Sequence, residues 1–412
     1  MKRIIIIGIL SILLLSKAVS QEVIPSWGIK FSGFVKTDIF YDTRQSSASN
    51  GIREGHFYLF PDNVLNDANL NDINANPSFH MLNIQTRLRG DISGPDAFGA
   101  KTSGAIEAEF FGTNESDLNG FRLRHAFVKM DWSKTSLLIG QSWHPMFPAE
   151  SFPGTISFNT GAPFIPFSRN PQVKITRALG SLSLSLTAYS QRDFTSTGPD
   201  GISNKYLRNS GMPGTNFQMR LVAGDKLTAL AGIDYKKIRP ELRTTANIKT
   251  DATLGSFSAF TNLKFKTAPV NISVMGIYAQ NASDLMMIGG YAVSEITDIN
   301  TQYKNYTNIN TANFWLDMTT NGKKVAFGIF TGFCKNLGAA DEITGSMYGR
   351  GNNIDKIFRL SPRVTVTEGR LSFAAEVEST TAAYGTTQTN GKVTDTNSVN
   401  NIRVLLSTIY RF

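Results

Sequence analysis

One cysteine in 412 residues, Cys334, rules out an internal disulfide framework and reads as a small side chain on a strand. Histidine is nearly as scarce: His56, His80, His125 and His144 are the full set. None stands at a metal-ligand spacing such as H-E-x-x-H, and no G-x-S-x-G or phosphate-binding glycine loop occurs. The sequence therefore offers no metal site, no cofactor site and no catalytic residue. Charged residues make up 18% of the chain, fewer than the roughly 25% usual in soluble proteins. The formal charge of +9 is spread singly and not gathered into a patch, which argues against nucleic acid as a partner. Beyond the first fifteen residues no apolar run approaches the ~20 residues that a membrane-crossing helix needs.

The N-terminus itself has three parts. Met1-Lys2-Arg3 is basic, residues 4–15 are apolar apart from Gly8 and Ser11, and Ala18-Val19-Ser20 has the small-x-small pattern of a cleavage site. The expectation is a signal peptide over residues 1–20, with a single outer-membrane barrel domain over 21–412.

What the chain has in quantity is aromatic side chains: 11% of the residues, 28 of them Phe. Mean hydropathy is nevertheless −0.14. Aromatics without long apolar runs suit strands that alternate, since successive side chains of a strand point to opposite faces. Sixteen such segments are expected, near 29–41, 79–90, 100–111, 121–132, 135–144, 171–178, 181–191, 215–223, 227–238, 254–266, 270–280, 309–319, 324–335, 356–367, 371–381 and 401–412. Short turns such as Ser133-Lys134, Leu179-Gly180 and Gly224-Asp225-Lys226 alternate with long polar connections at 42–78, 145–170, 192–214 and 281–308. Tight turns on one side and long loops on the other is the layout of an all-β, transmembrane antiparallel barrel of about sixteen strands. A soluble β-sandwich has no reason to sort its loops in this way.

The strands carry two faces. Ile402, Val404, Leu406, Thr408, Tyr410 and Phe412 share one side of the last strand, and Arg403 and Arg411 lie on its reverse. Ile29, Phe31, Val35 and Ile39 oppose Lys30, Lys36 and Asp38. Leu82, Ile84, Thr86 and Leu88 are read as outward, against Asn83, Gln85, Arg87 and Arg89. Leu182, Leu184 and Leu186 alternate with Ser181, Ser183 and Ser185. A charge facing lipid at mid-bilayer costs about 2–4 kcal/mol, so the charges are placed inside. In 121–132, Arg122 and Arg124 fall out of phase with Lys129 and Asp131; a bulge near Phe127 would bring all four inward.

The expected pore-lining set is Lys30, Lys36, Arg87, Arg89, Glu107, Glu109, Arg122, Arg124, Lys174, Arg220, Arg359, Arg363 and Arg403, with Asp38, Asp317, Glu376 and Glu378 as further inward acids. Basic residues outnumber acidic ones, and low-dielectric walls focus their field, which points to a modest preference for small anions such as carboxylates. The competing arrangement is mutual pairing across the wall with little net field left. The loop 145–170 holds five prolines and five phenylalanines, surface that gains nothing in water. Folded inward it narrows the pore, with His144, Glu150 and Arg169 as constriction residues; alternatively it lies at a subunit contact or on the membrane surface.

Four runs, Phe121-Arg-Leu-Arg-His-Ala-Phe-Val128, Leu138-Ile-Gly-Gln-Ser-Trp143, Pro153-Gly-Thr-Ile-Ser-Phe-Asn-Thr-Gly161 and Arg169-Asn-Pro-Gln-Val-Lys-Ile-Thr176, resemble the DcaP-like porins of Gram-negative outer membranes. The C-terminal stretch from Arg363 through Phe373-Ala-Ala-Glu-Val-Glu378 to the closing strand is similar too. The resemblance implies a sixteen-stranded homotrimeric porin embedded in outer-membrane lipid and admitting small hydrophilic, often anionic, solutes. It lends no catalytic residue. Two departures stand out: the first strand begins almost directly after Gln21, without the N-terminal coiled coil that family can carry, and Ser142 stands where Thr is usual. Among rival readings, an enzyme barrel would need a dyad such as one built on His125 and His144. A substrate-specific channel or an adhesin-like barrel would use the long loops 42–78 and 281–308.

Overall fold

The computed structural model describes residues 27–46, 57–112 and 120–412. The signal peptide expected over residues 1–20 lies outside the described residues. In chain order the strands are β1 (Gly28–Asp42), β2 (Ser78–Leu82), β3 (Arg87–Ser93), β4 (Lys101–Glu109), β5 (Arg122–Asp131), β6 (Thr135–Trp143), β7 (Arg169–Leu179), β8 (Leu182–Tyr189), β9 (Ser196–Gly198), β10 (Gly201–Ser203), β11 (Gly214–Ala223), β12 (Leu227–Ile238), β13 (Leu254–Lys266), β14 (Val270–Gln280), β15 (Gly289–Asp298), β16 (Tyr303–Thr320), β17 (Val325–Ala339), β18 (Met347–Arg350), β19 (Ile354–Glu368), β20 (Leu371–Thr387) and β21 (Val393–Arg411). Counting β2 and β3 as one broken stave, sixteen antiparallel strands close a barrel. The β9–β10 hairpin, β15 and β18 stand outside that ring, on the side of the long loops.

Closure is made by β1. Its outer half pairs with β21 from Phe34↔Arg411 to Asp42↔Arg403, and its other edge pairs with β3 and then β2. Gly33 and Phe412 exchange backbone hydrogen bonds of 3.2 Å at the foot of the seam. A closed sheet leaves no unpaired edge, the condition for a β-structure to sit in hydrocarbon.

Alternation decides which side chains meet the outside. On β21, Ile402, Val404, Leu406 and Tyr410 are 41%, 46%, 55% and 49% exposed, while Arg403, Leu405 and Ser407 between them are buried. The exterior carries Phe, Leu, Ile and Val in this pattern from strand to strand, with outward charges such as Arg177, Lys335 and Lys356 toward the strand ends.

Two staves depart from plain alternation. The expected second strand is broken: residues 83–86 form a turn, with Thr86 N–H donating to the Asn83 carbonyl at 3.0 Å. The break resets the phase, so Phe79 and Met81 face out before it and Leu88 after it, whereas Leu82 and Ile84 point inside and join the interior apolar clusters. The outward placement of Leu82 and Ile84 is thus corrected. In β5 the bulge falls at Arg124, three residues before the expected position: Glu107 pairs His125 and Ala108 pairs Leu123, leaving Arg124 unmatched. Arg124 and His125 consequently both face the interior and are buried. With Val128 on the outside, alternation also carries Arg122, Lys129 and Asp131 inward.

The region 281–308, expected as a polar loop, contains β15 and the first turn-ward residues of β16. There Tyr189, Tyr206, Tyr291, Val293 and Tyr306 pack into a second apolar cluster beneath the β9–β10 hairpin and a short helix, Lys205–Asn209.

Leu406→Arg tests the exterior. It places a guanidinium on the outward face between Ala375 and Ile39, the cross-strand neighbours of Leu406. The expected loss is about 2–4 kcal/mol in denaturant unfolding from a bilayer; an unchanged midpoint means that this face does not meet lipid.

Candidate functional site

Between β6 and β7 the chain leaves the wall, crosses the lumen and returns. The sequence favours this because residues 145–168 combine prolines, which block strand continuation, with phenylalanines that need cover. The root is closed by the His144 N–H donating to the Ser168 carbonyl at 2.9 Å. From there the loop is moored to inward side chains of distant strands. Gln218 on β11 donates to the Pro145 carbonyl and Ser151 bonds Asn262 on β13. Asp317 on β16 accepts from Gly154 N–H at 3.3 Å, and Glu376 on β20 accepts from Ile156 and Ser157 N–H at 2.8 and 3.0 Å. Glu378 accepts from the Asn159 amide, and Arg359 on β19 donates to the Ala162 carbonyl at 2.7 Å and to the Leu59 carbonyl at 2.7 Å.

The loop's rings then cover the apolar part of the inner wall. Phe164 packs against Phe330, which itself neighbours Trp315, and Phe158 against Phe111, in one cluster that also takes in Phe57, Phe167, Phe194, Leu285 and Ile357. Segments 57–60 and 282–288 reach into the same cluster. A Cβ on Gly332 would stand 2.4 Å from the Phe164 ring, so only glycine lets that ring reach the wall there.

The opposite wall is charged. Glu107 and Glu109 on β4 sit among Arg87 and Arg89 of β3, Arg122 and Arg124 of β5, and Arg169 of β7. Arg87 reaches Glu109 at 2.9 Å and Arg89 reaches Glu107 at 3.2 Å; Arg124 bridges both glutamates. Arg122 spans Glu109 at 3.1 Å and Asp193 at 3.3 Å, and Arg169 binds Asp193 at 2.7 Å while stacking over Trp143 at 4.4 Å. Asp91 holds Arg89 at 2.6 Å. Five guanidiniums face four carboxylates in this group, so one positive charge is left over.

Two clefts flank the loop. One, of about 310 Å³, is lined by Lys36, Gln85, Arg87, Arg124 and Arg411 together with Phe34, Phe152 and Phe158; no Asp or Glu is among its lining residues. The other, of about 450 Å³, runs past Lys174, Gln218, Arg220 and Glu150 toward β13. Arg220 grips Glu150 at 2.6 Å, and Lys264 donates to the Glu150 carbonyl.

The residues selected from sequence fall into three groups. Lys30 is exposed near the start of β1, and Lys174 and Arg220 line the larger cleft. Lys36, Arg87, Arg89, Glu107, Glu109, Arg122 and Arg124 lie on the charged side, with Lys36 held 3.2 Å from Asp38 and 2.6 Å from the Ile156 carbonyl. Arg359, Arg363 and Arg403 are buried in pairs with Glu378 at 3.2 Å, Asp317 at 2.7 Å and Asp42 at 2.7 Å. His144, Glu150 and Arg169 do not converge on one point. His144 and Arg169 are enclosed at the loop root, His144 against Tyr189, while Glu150 is exposed early in the loop, on Arg220 of β11. Asp42, Asp193 and Arg411 were missed. Asp193 lies in a loop where no strand periodicity marks it, Asp42 is the last residue of β1, and Arg411 is inward by parity but outside the expected lining set.

Neither a protein-family model nor a curated protein matches the chain. Solved structures do. The outer membrane channel DcaP of Acinetobacter baumannii superposes with a TM-score of 0.68 at 17% identity, over 94% of this chain and 98% of that one. An anion-selective porin from Comamonas acidovorans gives 0.56 at 10% identity, covering 94% of this chain and 100% of that chain. The trimer form of OmpT of Vibrio cholerae gives 0.54 at 11%, again over 94% and 100%. The fold is that of the outer-membrane porins.

Glu109→Gln tests the charged wall. The Glu109 side chain is fully enclosed by Arg87, Arg122 and Arg124. Removing its charge leaves buried cations uncompensated, and unfolding should become easier by about 3–5 kcal/mol. Glu150→Gln, at an exposed pair, should shift stability by less than ~1 kcal/mol.

Proposed function

We propose that the protein is an outer-membrane porin through which small hydrophilic solutes diffuse passively, with a modest preference for anions such as carboxylates. The observation that carries the reading is the cleft beside the loop, whose charged lining is Lys36, Arg87, Arg124 and Arg411 with no carboxylate among them. Much of the inward charge is cancelled by pairing, so the preference rests on the surplus. That surplus includes Arg411, whose guanidinium donates to the Ser372 hydroxyl at 2.8 Å and has no carboxylate partner among the described residues. A surplus of one sign between low-dielectric walls attracts counter-charged solutes. The anion-selective porin of Comamonas acidovorans has the same fold, which supports the assignment.

The loop 145–168 sets the constriction in this reading, with its Glu150 paired to Arg220 of β11. His144 and Arg169 anchor its root and reach solutes only through their neighbours. The reading needs no cofactor and no catalytic step; His125 and His144 are buried against Trp143 and Tyr189. Assembly as a homotrimer accords with the trimer form of the OmpT fold relative and with the small outward residues Thr102 and Gly104 on β4. A substrate-specific channel is the second reading. It is favoured by the extent to which segments 57–60, 145–168 and 282–288 fill the lumen with packed rings.

Planar-bilayer recording under a salt gradient separates these. The reversal potential should indicate anions over cations, and Arg411→Glu should lower the permeability ratio on the order of twofold. Cation preference in the native chain ends the proposal. Three equal closing steps are expected of a trimer, and single steps would mean independent barrels. Block by micromolar solute would favour the substrate-specific reading.

A further inference from the structure

We propose that Lys335 and Lys356 form an external binding site for a phosphate-bearing lipid of the outer leaflet. The two are direct cross-strand partners on β17 and β19, and both point away from the lumen. Their phase follows from their neighbours. Phe333 and Phe358, two residues toward the membrane on the respective strands, also pair directly and are 41% and 47% exposed, while Cys334 and Ile357 between them are buried inside.

Below the lysines the outer surface is apolar. Phe314, Phe333 and Phe358 form one cross-strand row over three strands. No outward position of β16, β17 or β19 from that row down to Thr320, Val325 and Val366 carries a charge; Glu368, beside the short turn, is the next one in that direction. The lysines are therefore the first charges met on leaving this apolar band toward the long-loop side. One two-residue step along a tilted strand is about 5 Å of height, which sets the ammonium groups at headgroup level.

Like charges directly opposed in a sheet repel and are ordinarily avoided. Here one carboxylate relieves them in part. Asp355, displaced by the irregularity between Ile354 and Lys356, lies 2.5 Å from Lys335 Nζ. Lys356 is exposed and makes no ion pair among the described residues. One positive charge thus remains uncompensated, flanked by a second ammonium, above a face made for acyl chains. A phosphate supplies the missing counter-charge, and a lipid carrying it satisfies the ring row as well; free phosphate would satisfy only the ammonium pair. Juxtamembrane lysines attract anionic headgroups in this manner. The inference rests on the membrane placement of the barrel and is independent of what the lumen conducts.

The test uses the full barrel in non-ionic detergent, with diphosphorylated lipid A as probe and native mass spectrometry as readout. The double variant Lys335→Gln/Lys356→Gln should bind at least tenfold more weakly, and Asp355→Asn should bind more tightly than the native chain. Bilayer conductance of all three should be the same, so a failure of lipid binding is distinguishable from a failure of the channel assignment. Equal lipid retention by native and double-variant barrels overturns the proposal. So does displacement of the lipid by inorganic phosphate at comparable concentration, which would reveal a simple anion site. Should the double variant not fold, unchanged or weaker binding by Asp355→Asn is itself sufficient to overturn it.

Discussion

A backbone inside hydrocarbon has no water to bond, so every N–H and C=O of the wall must find a partner in the sheet. That requirement makes the pairing of β1 with β21 the interaction on which the rest depends. An open sheet would expose two edges; a closed one fixes an inside and an outside for every residue. Once the ring is shut, alternation is no longer a tendency but a sorting rule. Each outward position within the apolar band must be compatible with lipid, and a charged residue at that depth has one place to go.

The sorting creates a second problem inside. Charges driven inward lose much of their water where the lumen is narrow, and buried charge is tolerated only when paired and hydrogen-bonded. Around Glu107 and Glu109 the solution is side chain to side chain, with guanidiniums from β3, β5 and β7. On the other wall the solution is side chain to loop backbone. Glu376 takes two consecutive N–H groups and Arg359 takes carbonyls from two separate segments. The loop crossing is thus part of the electrostatic completion of the wall. Its aromatic rings add the matching cover for Trp315 and Phe330, inward residues that would otherwise stand in water.

Most of the wall was legible because it obeys a period of two. Segments 227–238, 254–266 and 270–280 coincide with β12, β13 and β14 to the residue. Legibility fails where something non-local resets the phase. Nothing in residues 79–90 announces that Ile84 is wanted by an interior cluster, so the turn at 83–86 has no local signal and parity alone puts Leu82 on the wrong face. The bulge in β5 could be inferred from charge out of phase, but not its position, because Arg124 and Phe127 are equally good places to insert a residue when only parity is known. Beyond the lipid band the rule itself lapses. β15, β18 and the β9–β10 hairpin are held by a tyrosine cluster drawn from five elements, and polar outward positions there give no alternation to read. The selected site residues were found by type and parity, which locates them on the wall. Which of them bond to one another depends on side-chain reach across strands, and that has no sequence signal.

The two walls together decide where a solute can travel. Against β16, β17 and β19 the interior is occupied by packed rings, and Phe164 against Phe330 leaves no water-filled path at that contact. Among the described residues, open clefts lie to either side of the crossing loop: one toward β21, β1 and β3, the other toward β7, β11 and β13. In the proposed reading a small number of groups then carries the chemistry of passage. On the first side these are Arg87 and Arg411, with Lys36 held beneath the loop backbone; on the second, Lys174 and Arg220 face a single exposed carboxylate, Glu150. Charges locked at the loop root or beneath its backbone shape the field from behind but do not meet the solute. In the proposed porin reading, selectivity is therefore set less by how many basic residues face inward than by which of them the loop leaves uncovered.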